Sequence, residues 1–315
     1  MTLRNLARRT ITKLVAALPP DARRDVMTAL VDGVTGWELF QAVGRRYDVD
    51  DIRVLGNCGL IQGSLADDKI IAGYAQHKSW ALETSHYFAE AFKEQKVGTY
   101  IDIGANLGLT TIPIAAFPDI DCKAFEPDPD NYRHLSHNVA MHCRHNNVEL
   151  FNAAVCDHTG VIDFELDVHN HGDHRIHAPG APGRLDEHNR PVIKVKACRL
   201  DDVFDPTELK KPLMVKVDTQ GAEGQIFAGG ETLLTACKEI CLEYWPYSMQ
   251  RFGADIDRMV DFIKRTWTTG SMVAGDADQA PQHWQPIGEI AGQMHERWRL
   301  ADAEPFSYHE IYLKC

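Results

Sequence analysis

From residue 99 onward, short apolar runs alternate with longer stretches whose apolar positions recur at helical spacing. The runs at 99–103, 121–125, 148–152, 212–217 and 238–243 predict buried strands. The stretches near 107–116, 129–142, 222–235 and 254–265 predict the helices between them. That order implies an α/β fold, a parallel sheet with helices on both faces. Phe306–Leu313 predicts a late strand with no helix after it; added antiparallel at the edge, it makes a seven-stranded, mostly parallel sheet. Two further candidates, 160–166 and 192–198, flank a long polar loop, and 274–300 reads as loop and short helix. Residues 1 to about 80 read as mainly helical, with patterns at Ala22–Val43, Lys69–Ala75 and Ser79–Lys93. The expected division is therefore a helical N-terminal extension, 1–80, and a sheet-bearing domain, 81–315.

The densest information lies where the first strand ends, in Thr99-Tyr-Ile-Asp-Ile-Gly-Ala-Asn-Leu-Gly108. Gly104 can reverse the chain at positive φ, and Gly108 allows close helix–strand packing. The turn offers backbone N–H groups at a helix start, and Asp102 is placed to accept hydrogen bonds from an amine or hydroxyl. Asn106 stands where a dinucleotide fingerprint needs its middle glycine, and no G-K-[ST] follows. A nucleoside without a diphosphate fits best, and S-adenosylmethionine is the common one. Glu126, at the end of the second strand and 18 residues beyond Gly108, sits near the offset of about 20 at which an acid binds a ribose diol.

Composition narrows the setting. The net charge is −12, which opposes binding to nucleic acid or anionic membrane. No apolar stretch approaches the ~20 residues of a membrane span. The eight cysteines form no C-x-x-C pair and read as reduced, mostly buried thiols, so a cytoplasmic location is expected. Met1–Pro20 is basic and amphipathic, but Lys13 interrupts its apolar stretch. It reads as a solvated or docking helix, with attachment to a membrane surface as the alternative.

The fourth strand carries the second motif, Lys216-Val-Asp-Thr-Gln-Gly-Ala-Glu223. Asp218 leaves the sheet facing the same crevice as Asp102, although an Asx turn also suits it. Glu223 begins the next helix, where its charge would also favour the helix dipole. The loop lacks the Asn/Asp-Pro-Pro-aromatic sequence of base methylation. The most distinctive loop is His169-Asn-His-Gly-Asp-His174-Arg-Ile-His177, read as an active-site lid whose His174 and Arg175 contact substrate, or else as a solvated loop. A zinc site there is disfavoured by the spacing. His134, His137, His142 and His145 do not share one helical face and read as solvated surface.

Together, Asp102-Ile-Gly-Ala-Asn-Leu-Gly108, Phe125-Glu-Pro127, Leu200-Asp-Asp202 and Lys216–Glu223 resemble the FkbM family of S-adenosylmethionine-dependent methyltransferases, over roughly residues 80–265. The resemblance implies a class I, Rossmann-like fold and O-methylation of a hydroxyl on a sugar, glycan or secondary metabolite. It also implies a part for Glu83, which matches a glutamate common in the family. Asn152, after the third strand, falls where such enzymes contact adenine. The expected cofactor site is Glu83, Asp102, Gly104, Asn106, Gly108, Glu126, Asn152 and Asp218. An alcohol's proton needs an acceptor, and the candidates are Asp218, Glu223, Glu243 and His174. Three of these, Asp218, Glu223 and Glu243, could instead hold a divalent cation, a reading ranked second to direct acid–base chemistry. Rival functions are a nicotinamide oxidoreductase and a non-catalytic protein that binds an adenosine ligand. The expected partner is a small-molecule or glycan acceptor, not nucleic acid, with room for a homo-oligomer.

Overall fold

The computed structural model describes Pro19 and residues 36–145, 147–180, 183–185, 187–275 and 279–315. Pro19 apart, the Met1–Pro20 segment and the 22–35 part of the expected Ala22–Val43 helix lie outside the described residues. The chain divides into two compact units, one running to Ile52 with Ser64–Ala66, the other comprising Arg53–Gly63 and Asp67–Cys315. In the first, α1 (Gly36–Tyr47) places Glu38 in its first turn and Arg45 and Arg46 in its last, matching the helix dipole.

β1 (Asp51–Gly56) and β2 (Gly59–Ser64) pair as a two-stranded sheet. This hairpin corrects the mainly helical reading of the first 80 residues. Its turn, Gly56-Asn57-Cys58-Gly59, is the signal in the sequence that marks it between the helical patterns on either side. α2 (Ile70–His77) and α3 (Leu82–Gln95) follow, and then the alternation begins. Its first half is β3 (Gly98–Ile103), α4 (Thr111–Ala115), β4 (Ile120–Phe125), α5 (Pro129–His142) and β5 (Val148–Phe151). α4 starts later than the expected 107, because Asn106 and Gly108 both hold positive φ, +50° and +87°, which a helix cannot contain.

Between the third and fourth strands of the alternation lies a second, four-stranded sheet. It is made of β6 (Ala154–Val155), β7 (Gly160–Glu165), β8 (Arg175–Ile176) and β9 (Val192–Cys198), in the order β6-β9-β7-β8. The chain then runs through α6 (Leu200–Val203), β10 (Leu213–Val217), α7 (Glu223–Gly229), α8 (Glu231–Thr235) and β11 (Glu239–Tyr244). Gly230 splits the single helix expected over 222–235. Next come α9 (Pro246–Arg251), α10 (Ile256–Thr266), β12 (Thr269–Ala274), β13 (Gln285–Pro286), α11 (Ile287–Leu300) and β14 (His309–Lys314).

The main sheet has the order β13-β12-β14-β11-β10-β3-β4-β5. It holds eight strands rather than seven, because two residues at Gln285–Pro286 add an edge pairing to β12. β14 is antiparallel as expected but not at the edge: it lies between β11 and β12. α11 replaces the loop expected over 274–300, and Ile287, Ile290, Ala291, Met294 and Trp298 supply its helical stripe.

Side chains alternate across this sheet. Ile101, Ile103, Val215, Val217, Ile240 and Leu242 face one layer with α7, α8, α10 and α11. Tyr100, Met214, Cys241 and Tyr312 face the other, with Phe88 and Phe92 of α3. Among the described residues, no helix is long and apolar enough to cross a membrane. The eight cysteines are free, and five of them are buried.

Candidate functional site

Strand parity assembles a row of ionisable groups. The pairs Asp102↔Lys216, Lys216↔Cys241 and Cys241↔Tyr312 set neighbours on one face. Two residues further along each strand, toward the carboxyl ends of the parallel strands, stand Asp218, Glu243 and Glu310 on that same face. β3 and β10 are where the strand order reverses direction, so the row lies at the switch point of the sheet.

Asp102 is fully buried, and its Oδ2 accepts from the Thr110 and Thr111 hydroxyls, both at 2.6 Å. Its Oδ1 lies 3.4 Å from Lys216 Nζ. The expectation that Asp102 faces a ligand therefore gives way to an anchoring role. Lys216 also lies 3.4 Å from Asp218 Oδ2 and donates to the Gly104 carbonyl at 3.1 Å. Burial alone would lower the Lys216 pKa, but Asp218 and Asp102 on either side outweigh it and hold the ammonium above its ordinary value. This cross-strand lysine, which could have been a solvent-facing strand residue, ties the two motifs together.

The glycine turn packs as its pattern requires. Gly104 has φ +84°, and a Cβ there would stand 1.9 Å from the Asp218 carbonyl oxygen. Only glycine lets the β3 and β10 loops touch. The Asn106 N–H donates to Glu126 Oε2 at 2.9 Å, its Nδ2 donates to the His171 carbonyl at 2.9 Å, and its Oδ1 accepts from Leu107 N–H. Glu126 is buried and also accepts from Asp128 N–H at 2.9 Å, through Oε1. Burial pushes its carboxyl up to about 8, against the pull of those two backbone donors. Asn152 is occupied differently from expectation: its Nδ2 donates to the Glu126 and Pro127 carbonyls, at 2.9 and 3.1 Å. It shapes the β4 turn rather than presenting its amide to adenine. Glu83 lies half-buried in the first turn of α3, next to Thr84, whose hydroxyl donates to Glu310 Oε2 at 3.0 Å.

Beyond β10, Asp218 is half-exposed and accepts from Gln220 Nε2 at 2.9 Å; the same nitrogen donates to Glu243 Oε1 at 3.1 Å. Glu223 is fully buried, and its Oε1 accepts from the Thr219 N–H and hydroxyl at 3.0 and 2.8 Å. Glu223 Oε2 and Glu243 Oε2 are buried with no hydrogen-bond partner among the described residues. Burial lifts the Glu223 carboxyl to about 7. Burial, then Asp218 and Glu223, push Glu243 well above the usual carboxylate range. Asp218, Glu223 and Glu243 are electrostatic neighbours, yet they do not converge on one ion site. Among the described residues, the only group of three ligand atoms all within 4.8 Å of one another is Cys156, Asp157 and His158. Glu310, missed in the sequence, is also raised by burial and feels Asp218. Its signal was parity with Tyr312 on a strand whose position in the sheet was unknown.

The histidine loop is only partly solvated: His169 is exposed, whereas the His174 and Arg175 side chains are buried. His174 is buried, and its Nδ1 accepts from Asp167 N–H at 3.0 Å, which puts the ring proton on Nε2. Burial, then His171, lower its pKa to about 3. With one nitrogen engaged and the other protonated, His174 is not a general base, and that expectation is withdrawn. Arg175 is fully buried: it bonds Asp173 at 2.9 Å and Ser248 Oγ at 3.1 Å, lies 3.3 Å from Glu165, and stacks 5.0 Å over the Trp245 ring. Arg190 and Arg251 join the same buried cluster of carboxylates. The His171 carbonyl meanwhile accepts from both Asn106 and Asn131, so the loop is laced to the glycine turn.

On α5, His134 is fully buried rather than solvated, and His142 meets the Leu60 carbonyl at 2.9 Å. Asn138, also buried, donates to the carbonyls of Gln62 at 2.9 Å and Leu107 at 3.0 Å, fixing the glycine loop from below. A cavity of about 500 Å³, bordered by Lys211, Leu213, Cys237 and Lys238, opens at the amino ends of the strands, away from the acid row.

A Rossmann-like α/β sheet with an acid row and a glycine turn at its switch point is a nucleoside-binding architecture. The model of the family described as the methyltransferase FkbM domain matches residues 102–266, just over half of the chain, and the chain belongs to that family. Among curated proteins, the 2-O-methyltransferase NoeI of Sinorhizobium fredii (strain NBRC 101917 / NGR234) is 29% identical over 161 residues. That match takes in 46% of this chain and 62% of NoeI, less than two thirds of the relative's length. Solved structures give distant likenesses. M. jannaschii TYW2 in complex with AdoMet has a TM-score of 0.39 and 12% identity, covering 84% of this chain and 85% of that one. The O-methyltransferase TomG from Streptomyces achromogenes has 0.38 and 10%, covering 73% and 78%.

Proposed function

We propose that the chain is an S-adenosylmethionine-dependent O-methyltransferase acting on a hydroxyl of a sugar, glycan or secondary metabolite. The observation that carries this is Asp218: a half-exposed carboxylate at the switch point, clamped on one oxygen by Lys216 and on the other by Gln220. Family membership sets aside a nicotinamide oxidoreductase, and a relative named as a 2-O-methyltransferase supports an oxygen acceptor.

The donor set suits the cofactor. Glu126, Asp218, Glu243 and Glu310 surround one crevice that Lys216 only partly neutralises, and S-adenosylmethionine carries a cationic sulfonium and an ammonium. Glu126 would accept from the ribose hydroxyls through its remaining lone pairs, and the turn from Gly104 to Gly108 would border the nucleoside. When bound, the cofactor supplies an electrophilic methyl group for in-line transfer.

The chain's own part is alignment and proton transfer. Orienting the acceptor oxygen accounts for several of the ~7–11 kcal/mol available to well-placed reactants. Each Asp218 oxygen keeps a lone pair beyond its clamp, so either can take the hydroxyl proton. Burial raises Glu243 and Glu223, which favours their protonated forms and leaves the proton-accepting part to Asp218. Incubating the protein with methyl-labelled S-adenosylmethionine and an extract of cells that express it tests the proposal. A labelled O-methyl product is expected; a label confined to nitrogen or carbon would contradict it.

A further inference from the structure

Gln220 is held at both ends. Its backbone sits at φ +59°, in the left-handed region that a side-chain-bearing residue adopts only where its surroundings fix it. Those surroundings are visible. Ser248 is fully buried and its hydroxyl donates to the Gln220 carbonyl, while Arg175 Nη1 donates to that hydroxyl at 3.1 Å. The next residue, Gly221 at φ +121°, leaves room for this contact, because a Cβ there would meet Ser248 Oγ at 2.4 Å. At the other end, Nε2 spends one hydrogen on Asp218 at 2.9 Å and the other on Glu243 at 3.1 Å.

One nitrogen therefore bridges two acids that would otherwise repel. We infer that Gln220 is a positioning residue that keeps the Asp218 and Glu243 carboxyl groups paired at the strand ends, fixed by Ser248 of α9 and, through it, by Arg175 of the small sheet. The inference deepens the functional reading above and rests on Asp218 being the base. It gives the buried arginine of β8 a purpose that direct substrate contact does not. It also explains why a glutamine, donor on its nitrogen and uncharged, stands among so many acids. The groups facing the pair are Lys216 on β10, Glu223 on α7, Glu310 on β14 and Asp173 in the loop before β8.

Carbon-13 NMR of the full-length protein, labelled at the carboxyl carbons of Asp and Glu, tests this without cofactor or acceptor. In Gln220→Ala the Glu243 midpoint should rise by about half to one pH unit, since its charged form loses a neutral donor. An unchanged midpoint in a variant that melts like the parent would overturn the inference. Should Gln220→Ala fail to fold, Ser248→Ala decides: it keeps the carboxamide but frees its backbone. A rise in the same direction supports the inference, and no rise contradicts it. With an identified acceptor, Gln220→Ala should lower kcat about tenfold and leave the S-adenosylmethionine Kd unchanged. A chain that bound no S-adenosylmethionine would overturn the functional reading while leaving the titration result readable.

Discussion

Single residues carry the electrostatics, and their burial makes pH a useful probe. Glu126 titrates near 8 in the folded protein against an ordinary value of 4.5. Between those values the native state binds the proton that the unfolded state has lost, so this group's contribution to stability falls as pH rises from about 4.5 to about 8. Glu126→Gln should flatten that slope in denaturant titrations of the cofactor-free protein. Because ribose hydroxyls donate to the ionised form, S-adenosylmethionine binding near pH 7 should also release a proton, detected by calorimetry in two buffers of different ionisation enthalpy. His174→Gln should leave the acid limb of the methyl-transfer pH profile in place, without the ~10²-fold or greater loss that removing a general base causes. Glu126, Asp218 and the two glycines could be placed from sequence because each ends a strand whose neighbours fix its direction. Asp102, Asn152 and His174 could not be assigned roles. Their side chains are taken by Thr110, by a turn carbonyl and by Asp167 N–H, partners that only tertiary packing supplies.

At the scale of elements, two loops depend on each other. Gly104→Ala would drive a Cβ against the Asp218 carbonyl at a positive φ, so it should cost at least about 2 kcal/mol by denaturation and disturb both motifs at once. The small sheet is locked to the site by its buried ion cluster. Arg175→Met would leave Asp173 to Arg190, and Glu165 to Arg190, Arg251 and His177, and should cost about 1.5–3 kcal/mol, with faster amide exchange in β8. The long strands of the alternation and α5 showed plainly in the apolar period, within a residue or two of their ends. β12 and the two-residue strands did not, because each owes its pairing to a distant partner rather than to local pattern, and the local hairpin at 51–64 was overlooked among helical patterns. Register was equally silent. Without knowing that β14 enters between β11 and β12, nothing brings Glu310 beside Glu243.

Across the whole molecule, the sheet gathers acids from four strands onto one face at the switch point and answers them with one buried lysine. Nothing in the sequence measured how much of that charge is compensated. Burial is the main reason that the carboxyls of Glu126, Glu223 and Glu243 are raised, and at Glu243 the neighbouring Asp218 and Glu223 add to it. The central claim is that this crevice holds S-adenosylmethionine and that Asp218 takes the acceptor's proton. Transfer of labelled methyl to the extract-derived acceptor by Asp218→Asn, compared with the parent at equal cofactor occupancy, tests it most directly. At saturating S-adenosylmethionine the variant should transfer methyl at least ~10²-fold more slowly. Transfer at the parental rate would contradict the claim.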